Sequence, residues 1–183
     1  MYFVFDVESV GLHGEGFAVG WVVVNEDGEE LTCGILACPL EKAQGSDEDR
    51  EWVKQNVPEH AWQGKYFTYA SPMEVRQEFW RVWKLWKKQG AILVADCPWP
   101  VEARFLIECV NDDPKNRNWE GPYPFIDVAS VRLAAGLDPL GTDERIEGES
   151  PAHDPQRDAR QSARLFIEAM NLTRHVAPQA SGL

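Results

Sequence analysis

The chain has 183 residues, 44% of them hydrophobic and 26% charged, with 18 basic against 30 acidic side chains and a net charge of −12. This composition excludes a disordered segment and fits one domain with a sizeable core, and the acidic balance excludes sequence-independent adhesion to nucleic acid through a basic footprint. It leaves room for an enzyme that engages a short nucleic-acid segment through metal ions.

No stretch approaches the length of a membrane span. The start, Met1 to Asp6, lacks the basic region of a signal peptide, so a cytoplasmic location is expected. Cys33, Cys38, Cys97 and Cys109 form neither a CxxC pair nor a zinc-site spacing. They are expected to be free, mostly buried thiols of a reducing compartment.

In chain order, the nearly continuous apolar run Tyr2 to Val7 predicts a strand buried on both faces. A turn over Val10 to Gly14 leads to a second strand, Phe17 to Val24, and Asn25-Glu26-Asp27-Gly28 turns into a third, Glu30 to Ala37. These three form an antiparallel meander. Asp47 to Asn56 predicts a short helix with an acidic start that stops before Pro58. Ser71-Pro72-Met73-Glu74 opens a helix as cap, first-position proline and box acid, and Phe79, Val82, Trp83 and Trp86 recur at helical spacing until Gly90.

A short buried strand follows at Ala91 to Ala95, then a helix from Val101 to Val110 and a polar loop from Asp112 to Pro122. Tyr123 to Val128 is extended, Ala129 to Ala135 helical, and Gly136 to Ala152, rich in Gly, Pro and acids, a flexible surface loop. The last helix is expected from Pro155 to Met170, with 173–183 as a flexible tail behind a single domain over 1–172. A meander followed by alternating helices and strands predicts an α/β fold, a mixed sheet with helices on both faces.

Three groups of residues carry candidate chemistry. Asp6 and Glu8 leave one face of the first strand at its C-terminal end, where α/β sheets place their sites. Two acids there repel unless a hard divalent cation lies between them, although a strand also commonly ends in exposed acids. Asp154-Pro155 is a helix cap followed by a first-position proline, which sets His153 beside Asp158 in the places of a hydrophobic staple; the plain alternative is an exposed ion pair across a helix start. Asp96 ends the fourth strand and Glu102 falls in the first turn of the next helix, anchored by Phe105 and Leu106. There an acid also serves simply to complement the helix dipole.

Together these pieces resemble the DnaQ-like (DEDD) 3′–5′ exonucleases of the RNase H-like superfamily, histidine subclass. Phe5-Asp6-Val7-Glu8-Ser9-Val10-Gly11-Leu12 is similar to the first motif, Tyr123 to Val128 to the segment before the third, and His153 to Asp158 with Ala159, Ser162, Ala163 and Leu165 to the third. The resemblance runs over residues 2–170. The middle motif departs from the family pattern, with Asp96-Cys97 in place of His-Asn and Glu102 in place of the usual Asp, so either Glu102 or Asp96 fills that role. A weaker resemblance, through Glu51 to Gln55 and the Phe105-Leu106 helix, points to an exoribonuclease branch.

The resemblance implies an RNase H-like mixed five-stranded sheet and two-metal phosphodiester hydrolysis. Asp6 would bridge two Mg²⁺ or Mn²⁺ ions roughly 3.5–4 Å apart. Glu8 and Asp158 would complete one ion's site, Glu102 would serve the other, and His153 would take the proton of the attacking water. The implied substrate is the single-stranded 3′ end of RNA or DNA, gripped by Val7, Gly11, Leu12, Asp96 and Arg157. A homodimer is also implied. Arg157, Arg160 and Arg164 are candidates for a cationic ridge along the leaving strand, and Trp80, Trp83 and Trp86 are read as core. The rivals are a catalytically silent module of the same fold that binds nucleic acid or scaffolds an assembly, and a phosphohydrolase of small phosphoesters. The latter has no Gly-rich phosphate cradle in support.

Overall fold

The computed structural model describes residues 1–63, 69–141 and 143–176. β1 (Tyr2–Ser9) and β2 (Gly16–Val24) are apolar on both faces, and β2 is buried along its whole length. They pair antiparallel with Asp6 opposite Gly20, and β3 (Glu30–Ala37) extends the meander on the far side of β2. The turn between β2 and β3 is set by Asn25, whose side-chain oxygen accepts from the Asp27 and Glu29 amides. β4 (Ile92–Ala95) and β5 (Phe125–Asp127) lie parallel to β1, giving the order β3-β2-β1-β4-β5. The fold is the expected mixed five-stranded sheet.

α1 (Asp47–Asn56) is capped by the Ser46 hydroxyl, and α2 (His60–Gln63) is a single unforeseen turn. α3 (Pro72–Lys87) begins as expected, with the Ser71 hydroxyl accepting from the Glu74 amide and the Glu74 carboxylate accepting from the Ala70 amide. α4 (Val101–Asn111) follows β4, and the polar loop after it folds into the short α5 (Pro114–Arg117). The extended segment after Tyr123 is shorter than its sequence suggests. Asp127 caps α6 (Val128–Ala134) through the Ala129 and Ser130 amides, which draws Val128 into the helix.

α7 (Pro155–Val176) continues six residues past the expected end. No Gly or Pro interrupts the chain before Val176, and Arg174 pairs with Glu26 at 3.8 Å. The helix thus takes in the first four residues of the stretch expected as a flexible tail, whose remaining residues, 177–183, lie outside the described ones. The loop expected to be free between Gly136 and Ala152 is instead tied to α6 and α7. Arg132 pairs with Asp143 at 2.7 Å, and Arg164 grips the buried Glu149 carboxylate at 2.7 and 3.0 Å.

Successive β1 residues feed two cores. Phe3, Phe5 and Val7 pack toward α3 and α4 with Phe79, Trp83 and Phe105, where Phe3 meets Phe79 and Trp83 edge-on at 5.9 and 5.8 Å. Tyr2 and Val4 pack toward α6 and α7 with Val128, Ala159, Ala163 and Phe166. Trp80 and Trp83 are buried, as their reading as core requires. Among the described residues no helix is long and apolar enough to cross a membrane, and Cys33, Cys38, Cys97 and Cys109 are all free, with only Cys97 exposed.

Candidate active site

The face of β1 that carries Tyr2 and Val4 into the α7 core ends in Asp6 and Glu8. β4 accompanies β1 only as far as Val4. Beyond that point Glu102 reaches over from the first turn of α4, and its Oε1 accepts from the Val7 amide at 3.1 Å. Glu102 is thereby fixed on β1 between the two strand acids, and it is buried, as is Glu8. The first-turn position does also act locally, since the residue's own backbone amide helps to lower its pKa.

On the same face of the sheet as Asp6 and Glu8, α7 starts directly against β2. A Cβ on Gly20, which pairs with Asp6, would stand 2.2 Å from the Pro155 carbonyl carbon and the Gln156 nitrogen. Only a glycine allows this approach. Asp154 Oδ1 caps the helix through the Gln156 and Arg157 amides at 3.1 and 3.2 Å, and its Oδ2 meets His60 Nε2 at 2.9 Å. His153, just ahead, takes a left-handed backbone conformation (φ 60°), and its amide donates to Asp158 Oδ2 at 2.9 Å. The backbone, not the imidazole, joins the pair. This frees the exposed ring, which stands edge-to-face on Trp52 at 5.1 Å.

Glu8, His153 and Asp158 each offer a ligand atom, all within 4.8 Å of one another. Burial first, then repulsion from Glu102, Glu8, Asp158 and Asp96, pushes the Asp6 carboxyl well above the usual carboxylate range. Burial followed by Asp158, Glu102 and Asp154 raises Glu8 to about 8. Burial raises Glu102 to about 8 against the opposing amide hydrogen bonds, and burial is also the main cause of the rise at Asp158. Asp96 lies in the same field, but its first charged neighbour is Asp127, and its Oδ1 is buried without a hydrogen-bond partner in the protein. Crowded hard oxygen donors with an orphaned carboxylate oxygen fit divalent cations, which offset this repulsion without a proton.

Beside the carboxylates a cleft of about 380 Å³ is lined by Val7, Glu8, Ser9, Gly11, Leu12, Asp49, Trp52, Val101 and His153. Gly11 turns here with φ 73°, and a Cβ on it would strike the Asp49 carboxyl at 2.6 Å. Leu12 and Trp52 present apolar surface, 67% and 48% exposed. Val7, Gly11 and Leu12 thus lie together in the cleft, whereas Asp96 and Arg157 are not among its lining residues.

The α7 arginines are engaged within the protein. Arg157 pairs with Asp154, Arg160 with Glu30, and Arg164 with Glu149 and Glu168. Sequence reasoning overlooked Asp49 and Trp52 as cleft residues, although their i, i+3 spacing sets them on one side of α1. It also overlooked Arg145, whose Nη1 donates to Asp158 Oδ1 at 2.6 Å. Arg145 is the lone basic residue between Gly136 and Ala152, a signal the sequence did carry, although nothing local names its partner.

No protein-family description matches the chain, and no curated protein sequence matches it. Among solved structures it superposes on a moderately thermophilic Exonuclease I from Methylocaldum szegediense with a TM-score of 0.60 and 17% identity, over 97% of this chain. The chain spans 41% of the length of that protein. The likeness is one of fold: a mixed five-stranded sheet flanked by helices, the RNase H-like fold.

Proposed function

We propose that the protein is a metal-dependent 3′–5′ exonuclease of the DEDD type, histidine subclass, acting on single-stranded RNA or DNA. The observation that carries this reading is the convergence of Asp6, Glu8, Glu102 and Asp158 at the end of the central strand, with an exposed histidine among them. The fold shared with an Exonuclease I supports the same class of chemistry.

Asp6, Glu8, Glu102 and Asp158 hold two divalent ions, Mg²⁺ or Mn²⁺. When bound, the ions supply positive charge against the phosphodiester and the departing 3′-oxygen. His153 takes the proton of the attacking water at its exposed ring and passes it to solvent, while Trp52 fixes the ring's orientation. Glu102 spends one carboxylate oxygen on the Val7 amide, which leaves the other for an ion despite the longer arm. The terminal base lies between Trp52 and Leu12 in the cleft, whose size suits one nucleotide rather than a duplex.

The test is a gel assay on 5′-labelled single-stranded DNA and RNA oligomers in Mg²⁺ and in Mn²⁺. A ladder shortening from the 3′ end, abolished by chelator and by Asp158→Ala, is the expected result. Binding of Mn²⁺ and oligomer without any cleavage would replace this reading with the silent module.

A further inference from the structure

Both oxygens of Asp158 are committed. Oδ2 accepts from the His153 amide at 2.9 Å, and Oδ1 accepts a charge-assisted bond from Arg145 Nη1 at 2.6 Å. The same Nη1 donates to the Glu149 carbonyl at 2.5 Å, so the guanidinium bridges the loop and the site. Arg145 therefore sets a positive charge on a carboxylate that also belongs to the cation cluster Glu8–His153–Asp158. A guanidinium and a divalent ion on one small carboxylate repel each other.

The loop that carries Arg145 is rooted independently of it. Arg164 grips Glu149 through two bonds and donates to the Glu144 carbonyl, Glu149 accepts from the Ile146 amide, and Arg132 holds Asp143 and the Asp138 carbonyl. The Arg145 side chain, about a quarter exposed, can therefore leave without the loop unfolding.

We propose that Arg145 is a built-in counter-cation of the metal centre, a latch that neutralises Asp158 in the metal-free protein and is displaced when a divalent ion binds. This rests on the metal-centre reading above. Two consequences follow. The resting protein keeps its acidic cluster partly neutralised without a metal, and metal affinity is set by competition with an internal side chain. Loading the site also frees a guanidinium about the length of an arginine side chain from Asp158, on the loop that leads to His153.

The experiment is calorimetric titration of the full chain with Mn²⁺, for wild type, Arg145→Gln and Arg160→Gln. Arg160→Gln removes an equal charge from α7, one that pairs with Glu30 instead. Arg145→Gln is expected to bind Mn²⁺ roughly tenfold more tightly than wild type, the counterpart of one charge-assisted hydrogen bond removed, and Arg160→Gln to bind as wild type does. Equal or weaker binding by Arg145→Gln overturns the latch, as does an equal gain in Arg160→Gln, which would mean long-range charge alone. Failure of both wild type and Arg145→Gln to bind Mn²⁺ overturns the metal centre itself, a distinct result.

Discussion

In chelator at neutral pH, Glu8 and Glu102 hold protons that they release on unfolding, because burial and neighbouring carboxylates raise both from 4.5 to about 8. The folded state then binds more protons than the unfolded state between those values, so stability falls as pH rises through that interval. Each pH unit corresponds to about 1.4 kcal/mol, so one such carboxyl accounts for ~5 kcal/mol. Burial acts on each carboxyl separately and only the repulsion is shared, so ~5 kcal/mol from one carboxyl is the lower scale for the site. For a domain of this size a change of 1 kcal/mol moves Tm by about 2–4 °C, which predicts a fall of roughly 10–20 °C.

Calorimetric melts in EDTA from about pH 5.5 to about pH 8 cover about 2.5 of those units, ~3.4 kcal/mol or roughly 7–14 °C of the fall, and saturating Mg²⁺ should abolish most of it, since the ion replaces the protons. The carboxylates held low by arginine partners, Glu30, Glu78 and Glu149, have finished titrating below this window. A chelated Tm that stays flat or climbs with pH would refute the buried-acid argument. So would an equal fall with Mg²⁺ present.

Three further outcomes are expected. Gly20→Ala drives a methyl into the Pro155–Gln156 backbone, and displacing the start of α7 should cost about 1–3 kcal/mol and on the order of a hundredfold in nuclease rate; a variant with wild-type Tm and rate would remove Gly20 from the account. Arg76→Met leaves Glu15, Glu108 and Asp112 without their shared buried partner, which should lower the stability read from urea denaturation by about 3–5 kcal/mol; a loss below about 1 kcal/mol would show that the network is incidental. Trp52→Ala should lower kcat/KM on single strands roughly tenfold through lost stacking, with Trp52→Phe keeping most of it; equal losses in the two variants would argue against an aromatic contact.

What could be read from the sequence was local. The apolar run of β1 with its two acids, the Ser71-Pro72 start of α3 and the Asp154-Pro155 start of α7 each depend on neighbours a few residues away, and each stands where expected. The ion-pair partners were not legible, because charge carries no address in a chain. Arg160 reads as a surface cation on α7, yet its partner Glu30 lies 130 residues earlier, on β3. The Glu102 carboxylate finds the Val7 amide 95 residues away, at a point where β4 has stopped pairing with β1. Arg145 belongs to the same class, since only the folded loop carries it to Asp158.

The stability of the fold and the chemistry of the site draw on different parts of the same strand. Phe3 and Phe5 on one face of β1 and Tyr2 and Val4 on the other fill two cores that owe nothing to the carboxylates. That surplus of apolar burial lets the strand end in Asp6 and Glu8, an arrangement that repels itself and would destabilise a smaller core. The same repulsion is what a bound cation would relieve, and the Arg145 guanidinium on Asp158 offsets part of it within the protein. Substituting Glu8 by Gln should therefore raise the Tm of the chelated protein at about pH 8 while abolishing metal binding. A gain in stability at the expense of function is the mark of acids retained for chemistry, and a loss of stability in Glu8→Gln would show instead that they serve the fold.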